Sequence, residues 1–294
     1  MVSRHDTTIS RDVTIIDCGS GAGNLAISLA GMLSRHRNDS NNQHVNVLAV
    51  DVNKQALQRL EHRAGVSEIP TGCLSTLCAD LADTQEIISH IPQNHDIVVV
   101  SLHACGSASD MAMELALECK CPFVICPCCT AKSLTKRSDA LQTSKTFKSN
   151  ASFLRSGSTA DITYPRSNWL SNRLAKPTLE SKHDKENNNG YEGNKMNTSM
   201  EEEQYTILAK VADVGLGPQT PESQREHQRR AKKIVEIDRL QCASENDFTV
   251  TLIRMANHNP LFYGKGEVLL GAKRGTLEAD VLLNLPVKVP YQVK

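Results

Sequence analysis

From Val13 to about Thr130 the chain alternates short apolar runs with stretches of helical periodicity. The apolar runs are Val13–Cys18, Val45–Val50, Ile97–Leu102 and Phe123–Cys126, with a weaker one near Cys73–Ala79. Between them Leu25–Leu33, Ala56–His62 and Ser109–Leu117 space their apolar residues as amphipathic helices do. The runs are continuous rather than alternating, the mark of strands covered on both faces. Strand and helix in regular succession predict an α/β fold, a parallel sheet with crossover helices.

Beyond Thr130 the pattern breaks and then returns. Residues 131–203 are rich in Ser, Asn, Lys and Glu; the stretch Glu180–Glu203 has almost no aliphatic residue and is expected to be disordered and dispensable. One island, Ile162–Leu170 ("ITYPRSNWL"), holds the only Trp, and such an aromatic cluster in a polar stretch suggests a docking point. Gln204–Val214 and Pro221–Gln241 read as helices, the second amphipathic through Ala231, Ile234, Val235, Ile237 and Leu240. Phe248–Met255 and Glu267–Lys273 read as two strands joined by a loop containing Asn257, Asn259, Pro260 and Gly264. The expected organisation is a core at 12–130, a partly disordered insertion at 131–203, and helices with a strand hairpin at 204–285 completing the same domain.

Charge narrows the choice of partner only slightly. Lys plus Arg equals Asp plus Glu, 33 against 33, so the whole molecule makes no strong electrostatic claim on nucleic acid or membrane. Met1–Asp12 is polar, without the apolar core of a signal peptide, and no run approaches the ~20 apolar residues that span a bilayer. The ten cysteines are therefore expected as reduced thiols in a cytoplasmic protein.

The strongest chemical motif is Asp17-Cys18-Gly19-Ser20-Gly21-Ala22-Gly23, between a strand and a helix. Glycines belong where backbone turns tightly and approaches a ligand closely. A dinucleotide fingerprint places its third glycine one residue later, at Asn24 here, and a Walker loop needs Gly-Lys-Ser/Thr, which is absent. The acidic Asp17 would repel a pyrophosphate but suits the ammonium of S-adenosylmethionine. Asp51 closes the next strand, where a carboxylate can accept ribose hydroxyls, and Asp80 follows the third strand as a weaker candidate for the adenine amino group. Each acid could instead be only a helix or turn cap.

These residues resemble the first three motifs of class I S-adenosylmethionine-dependent methyltransferases. Ser101-Leu102-His103-Ala104-Cys105-Gly106 with Asp110, then Cys126-Pro127-Cys128-Cys129, resembles the methyltransferase domain found in glutathione S-transferase C-terminal domain-containing proteins, with relatives among tRNA-modifying enzymes. "YPRSNWL" and "RRAKKIVEIDR" are similar to a later region of the same family. The resemblance covers about residues 13–275, leaves out Glu180–Glu203, and lacks the family's upstream domain, so a minimal or shortened form is expected. It implies a Rossmann-like fold: a mostly parallel seven-stranded sheet with an antiparallel C-terminal hairpin. It also implies S-adenosylmethionine as cofactor, held by Asp17, Gly19, Gly21, Gly23, Asp51, Asp80 and Ser101.

Methyl transfer asks for alignment and a dry pocket, plus a base only where the acceptor carries a proton. His103, just past the fourth strand, is the candidate base; its bland role is to order the loop. The segment lacks the Asn/Asp-Pro-Pro-aromatic tetrad that grips an exocyclic amine. His103 and six cysteines (Cys105, Cys119, Cys121, Cys126, Cys128 and Cys129) could form a metal site, but C-x-C and C-P-C-C are tighter than a zinc knuckle and no metal is expected. Cys128 or Cys129 could be a covalent nucleophile, although the companion Pro-Cys is absent. Arg225, Arg229, Arg230, Lys232 and Lys233 could meet an RNA backbone or be the solvated face of a helix. The acceptor stays open, with RNA the best guess; the competing readings are a non-catalytic scaffold of the same fold and an NAD-dependent oxidoreductase disfavoured by glycine spacing.

Overall fold

The computed structural model describes residues 11–35, 44–104, 107–127, 165–174, 200–213, 220–254, 266–285 and 291–293. Five strands run parallel: β1 (Val13–Cys18), β2 (Val45–Asp51), β3 (Leu74–Cys78), β4 (Asp96–Leu102) and β5 (Phe123–Cys126). The helices between them are α1 (Asn24–Arg35), α2 (Lys54–Val66), α3 (Thr84–Ser89) and α4 (Ser107–Cys119). After α5 (Asn168–Leu174), α6 (Met200–Asp213) and α7 (Glu222–Glu245), strands β6 (Phe248–Arg254) and β7 (Glu267–Lys273) form an antiparallel hairpin. The helix α8 (Leu277–Leu283) and the short strand β8 (Tyr291–Val293) follow. The sheet order is β3-β2-β1-β4-β5-β7-β6-β8, with β7 antiparallel to β5.

The continuous apolar runs become strands for the reason they suggested. Along β2, Leu48 and Val50 pack into the cluster on one face with Ile16, Met113 and Phe123, whereas Val47 and Ala49 pack on the other with Ala30, Leu57 and Leu60. Both faces are dry, so no polar alternation is needed. On the hairpin side Gly271 lies in register with Phe123, and a Cβ there would stand 2.2 Å from the Phe123 ring. The missing side chain lets that ring cross β7 and reach Phe248, with ring centroids 6.0 Å apart.

The fold is the expected Rossmann-like sheet with its C-terminal hairpin, but the sheet has eight strands rather than seven. The additional β8 has three residues and follows Pro290, too short a run to show a period, and it pairs on the open edge of β6 beyond the expected limit at 285. Three short helices also escaped the pattern; all are set by caps, Asp83 accepting from the Glu86 N–H, Ser167 from the Leu170 N–H and Thr276 from the Ala279 N–H. Residues 180–199 of the stretch expected to be disordered lie outside the described residues, but Met200–Glu203 are helical and open α6. The disorder expectation is corrected there, because Tyr205 in the next turn is a buried anchor.

Residues 165–170 of the polar island are held against the core through a buried ionic network. Asp110 on α4 accepts from both Arg166 (2.9 and 3.0 Å) and Arg239 (2.9 and 3.0 Å), each guanidinium presenting two nitrogens to its two oxygens. Arg239 continues to Glu236 at 2.9 Å, and Glu236 receives Lys232 at 2.9 Å. Arg166 also donates to the Tyr205 hydroxyl at 2.7 Å, while Asp238 accepts from the Arg166 and Ser167 N–H groups and the Ser167 hydroxyl. Burial alone would raise the pKa of Asp110; the charges and hydrogen bonds of Arg166 and Arg239 outweigh it and hold the carboxyl below the ordinary range. Asp110 therefore contributes stability above its unfolded pKa, lost as pH falls through the folded one.

Replacing one partner strands a buried charge. Arg239→Met is expected to lower unfolding free energy by about 3–5 kcal/mol in urea titrations. The exposed Arg230–Glu226 pair is the control, Arg230→Ala costing about 0–1 kcal/mol. Equal losses in the two variants would deny the network its structural role.

Candidate active site

All five parallel strands end at one edge of the sheet, where open α/β folds place their ligands. The loop Gly19–Gly23 leaves β1 there, and its backbone is fixed by neighbours. The N–H groups of Gly19 and Ser20 donate to the Val50 carbonyl at 2.9 and 3.1 Å, and the Gly21 N–H donates to Asp51 Oδ2 at 2.8 Å. Gly19, Gly21 and Gly23 all have positive φ, +71°, +54° and +82°. Gly23 is also closed sterically, since a Cβ would lie 2.4 Å from Leu60 Cγ. Arg63 of α2 braces the loop by donating to the Ala22 carbonyl and to Asn24 Oδ1.

Asp17 lies one residue before the end of β1 and is 1 % exposed. Burial raises its pKa, the Ala26 N–H moderates the rise, and repulsion from Asp51 adds to it, leaving the carboxyl at about 7. Its Oδ2 has no hydrogen-bond partner among the described residues, nor does the nearby Ser20 Oγ. A buried carboxylate oxygen left in this way costs free energy unless a cation or donor reaches it.

The remaining expected site residues divide. Asp51 closes β2 with Oδ1 accepting from the Asn53 N–H at 2.7 Å and Oδ2 on the glycine loop, so it shapes the cradle while keeping lone pairs for further donors. Asp80 stands after β3; its Oδ1 accepts from the Ala82 N–H at 3.0 Å and its carbonyl from the Asp83 N–H at 2.9 Å, a turn-building role. Ser101 does not present its hydroxyl proton to the cleft: it is 2 % exposed and donates to the Cys18 carbonyl at 3.0 Å, stitching β4 to β1. His103 is exposed at the sheet edge with φ +61°, and its N–H donates to the Cys126 carbonyl at 3.2 Å.

The described cysteines of the run, Cys119, Cys121 and Cys126, lie at different ends of one strand. Cys119 and Cys121 sit where β5 begins and share a hydrogen bond, while Cys126 sits where it ends. Among the described residues no group of three or more His, Cys, Asp or Glu could hold a metal ion. Cys105, Cys128 and Cys129 lie outside the described residues, and with them the covalent hypothesis. The basic run on α7 divides: Lys232 is buried against Glu236 and the Pro127 carbonyl, Arg229 and Arg230 pair with Glu222 and Glu226, and Lys233 is exposed. Helical spacing brings those acids onto the arginines' own face, where counting cations alone could not register them. Arg63 and Glu267, which stands at the same sheet edge as β7 begins, were not singled out by any motif.

Residues 2–137 match the family model described as "Methyltransferase domain", which confirms the resemblance drawn from the motifs. A curated relative, the glutathione S-transferase C-terminal domain-containing protein of Bos taurus, is 27% identical over 156 residues, covering 53% of this chain and 17% of the relative. The chain thus spans less than a fifth of that protein's length. Among solved structures, an rRNA methylase from Streptococcus thermophilus is 17% identical, covering 43% of this chain and 68% of that one, with TM-score 0.31. The magnesium protoporphyrin IX methyltransferase of Synechocystis PCC 6803, solved with bound SAM, is 15% identical, covering 39% and 49%, with TM-score 0.27.

The loop geometry orders its glycines. Gly23→Ala combines positive-φ strain with the Leu60 clash and is expected to cost about 2–5 kcal/mol. Gly21→Ala meets no atom within 4 Å and should cost only the strain, about 1–2 kcal/mol. Chemical unfolding measures both, and a Gly21 variant less stable than the Gly23 variant contradicts the assignment.

Proposed function

We propose that the chain is an S-adenosylmethionine-dependent methyltransferase, a reading that starts from the methyltransferase domain matched over residues 2–137. The observation that carries it is the buried Asp17 with its unpartnered Oδ2 beside the glycine loop. The donor set fits the cofactor: an anionic oxygen awaiting a cation, a loop whose glycines admit close approach, and Asp51 at the tip of the next strand. Asp17 would receive the ammonium, Gly19, Gly21 and Gly23 the amino-acid moiety, and Asp51 the ribose. Asp80 would serve the adenine end, and Ser101 would act indirectly by fixing the end of β1. The bound cofactor supplies an activated methyl group on a sulfonium.

The protein's own work is then alignment and exclusion of water. His103, exposed beside the end of β4, can take a proton from an acceptor that carries one. RNA is the acceptor we favour, since the resemblance includes tRNA-modifying relatives. On α7, Arg229 and Arg230 pair with Glu222 and Glu226, and Lys233 of the same run is exposed. No helix among the described residues is long and apolar enough to cross a membrane, in line with a cytoplasmic protein. The second reading is a cofactor-binding scaffold of the same fold without turnover; transfer of labelled methyl to fractionated cell RNA, protein and small molecules separates the two. Insertion and C-terminal segment, 131–203 and 204–285, are taken as parts of the same domain as 12–130.

The Asp17 carboxyl gives a pH signature. Its folded pKa of about 7 exceeds the ordinary 3.8, so its contribution to apoprotein stability is present below pH 3.8 and is lost as pH rises through about 7. The ammonium favours the ionised form, so cofactor affinity should rise as pH increases toward about 7.5, then fall as the amino group itself deprotonates at ~8. Asp17→Asn should flatten the rise. Asp51→Ala should weaken binding by about 1–3 kcal/mol, and unchanged affinity would remove Asp51 from the site. Once an acceptor is in hand, His103→Asn should cut turnover ~10²-fold while sparing cofactor affinity; parallel loss of both would mean that it only shapes the loop.

A further inference from the structure

Further buried polar atoms lack partners on Gln228 of α7 and on Glu267 of β7. Gln228 on α7 is 5 % exposed, with neither Nε2 nor Oε1 hydrogen-bonded among the described residues. Glu267 opens β7, is 7 % exposed, and leaves Oε2 equally without a partner while Arg254 lies 3.4 Å from Oε1. Lys232 lies one helical turn after Gln228, with Nζ donating to the Pro127 carbonyl at 3.1 Å and to Glu236 at 2.9 Å. The charges of Lys232, Glu236 and Arg254 all act on Glu267.

The topology sets this group on the candidate edge. Helix α7 leads into β6, which begins where the parallel strands begin, so its first half lies toward the edge where they end. Pro127 follows the end of β5, and antiparallel β7 starts on that same edge with Glu267. The clamp on Lys232 matters here: its Nζ donates to Glu236 and to the Pro127 carbonyl, and satisfies neither Gln228 Oε1 nor Glu267 Oε2. An orphaned amide and an orphaned carboxylate oxygen, three polar atoms in all, are a costly burial with no structural return.

We propose that Gln228 and Glu267 hold the methyl acceptor, and that the acceptor presents a nucleobase. The proposal rests on the methyltransferase reading and adds the acceptor's chemical class. An amide that both donates and accepts, beside a carboxylate that accepts from an amino group, matches the mixed edge of a base. Arg254 is half exposed at the rim next to Glu267, where a nucleotide, unlike a polypeptide, brings a phosphate. Gln228 and Glu267 are binding residues, and no proton or methyl passes through them.

The test separates binding from folding. Gln228→Met removes two polar atoms that no described group satisfies and should melt about 2–4 °C above the parent, whereas Glu267→Met also gives up the Arg254 contact and should melt within about 2 °C of it. Calorimetry with S-adenosylmethionine should give affinity unchanged within about twofold, while binding of fluorescently labelled total cellular RNA should weaken about tenfold or more. Nucleoside monophosphates titrated into the parent protein distinguish a single nucleotide from an RNA strand as the source of the base. If either variant fails to fold, Gln228→Glu, which keeps shape and acceptor but loses the donor, is read in the same RNA titration. Lower melting temperatures with undiminished RNA binding overturn the proposal, as does a parent protein that methylates a polypeptide fraction and binds no nucleotide. A parent that binds RNA through these residues but no S-adenosylmethionine would overturn the methyltransferase reading and leave the nucleobase site standing.

Discussion

Asp110 is the point on which the molecule's two sequence-distant halves meet. Its two oxygens receive Arg166 from the polar island and Arg239 from α7, and the network runs on through Glu236 to Lys232. Three cations, Lys232, Arg166 and Arg239, stand against three anions, Asp110, Glu236 and Asp238, so the buried cluster is electrically closed. A closed cluster of this kind contributes little net stability compared with apolar packing, but it punishes any misplacement of a member. It therefore specifies where α5 and α7 lie more than it strengthens the fold. Through the bond from Lys232 to the Pro127 carbonyl it also fixes the end of β5, which borders the candidate site.

The site shows the opposite economy. Asp17 and Ser20 keep buried polar atoms without described partners next to a loop whose glycines admit close approach. Around Asp110 the described buried charges are paired with one another; beside the glycine loop a carboxyl is raised to about 7 by burial. Groups held in this unsatisfied state are the ones expected to gain when a ligand arrives.

Much of the sheet was legible because its strands are buried on both faces: Val13–Cys18, Phe123–Cys126 and Glu267–Lys273 have the bounds their apolar runs suggested. The glycine loop and Asp51 were equally visible, since tight turns and strand-tip acids leave marks in a few adjacent residues. What stayed hidden depends on distance in sequence. Nothing in "YPRSNWL" says that Arg166 will find Asp110, 56 residues earlier, or that Lys232 will be buried while its neighbour Lys233 is exposed. Ser101 sits at a site-like position, yet only the register of β4 beside β1 shows its hydroxyl bound to Cys18. Cys119 and Cys126 looked like members of one cluster because sequence proximity does not tell which end of a strand a residue occupies.

The central claim is that Asp17, its carboxyl raised to about 7 by burial, receives the ammonium of S-adenosylmethionine. The most direct test is calorimetric titration of the cofactor at about pH 6.5 in buffers of different ionisation enthalpy, which counts protons exchanged on binding. The account predicts binding with release of a substantial fraction of one proton, and no such release in Asp17→Asn. Binding without proton exchange, or no heat of binding at all, would contradict it.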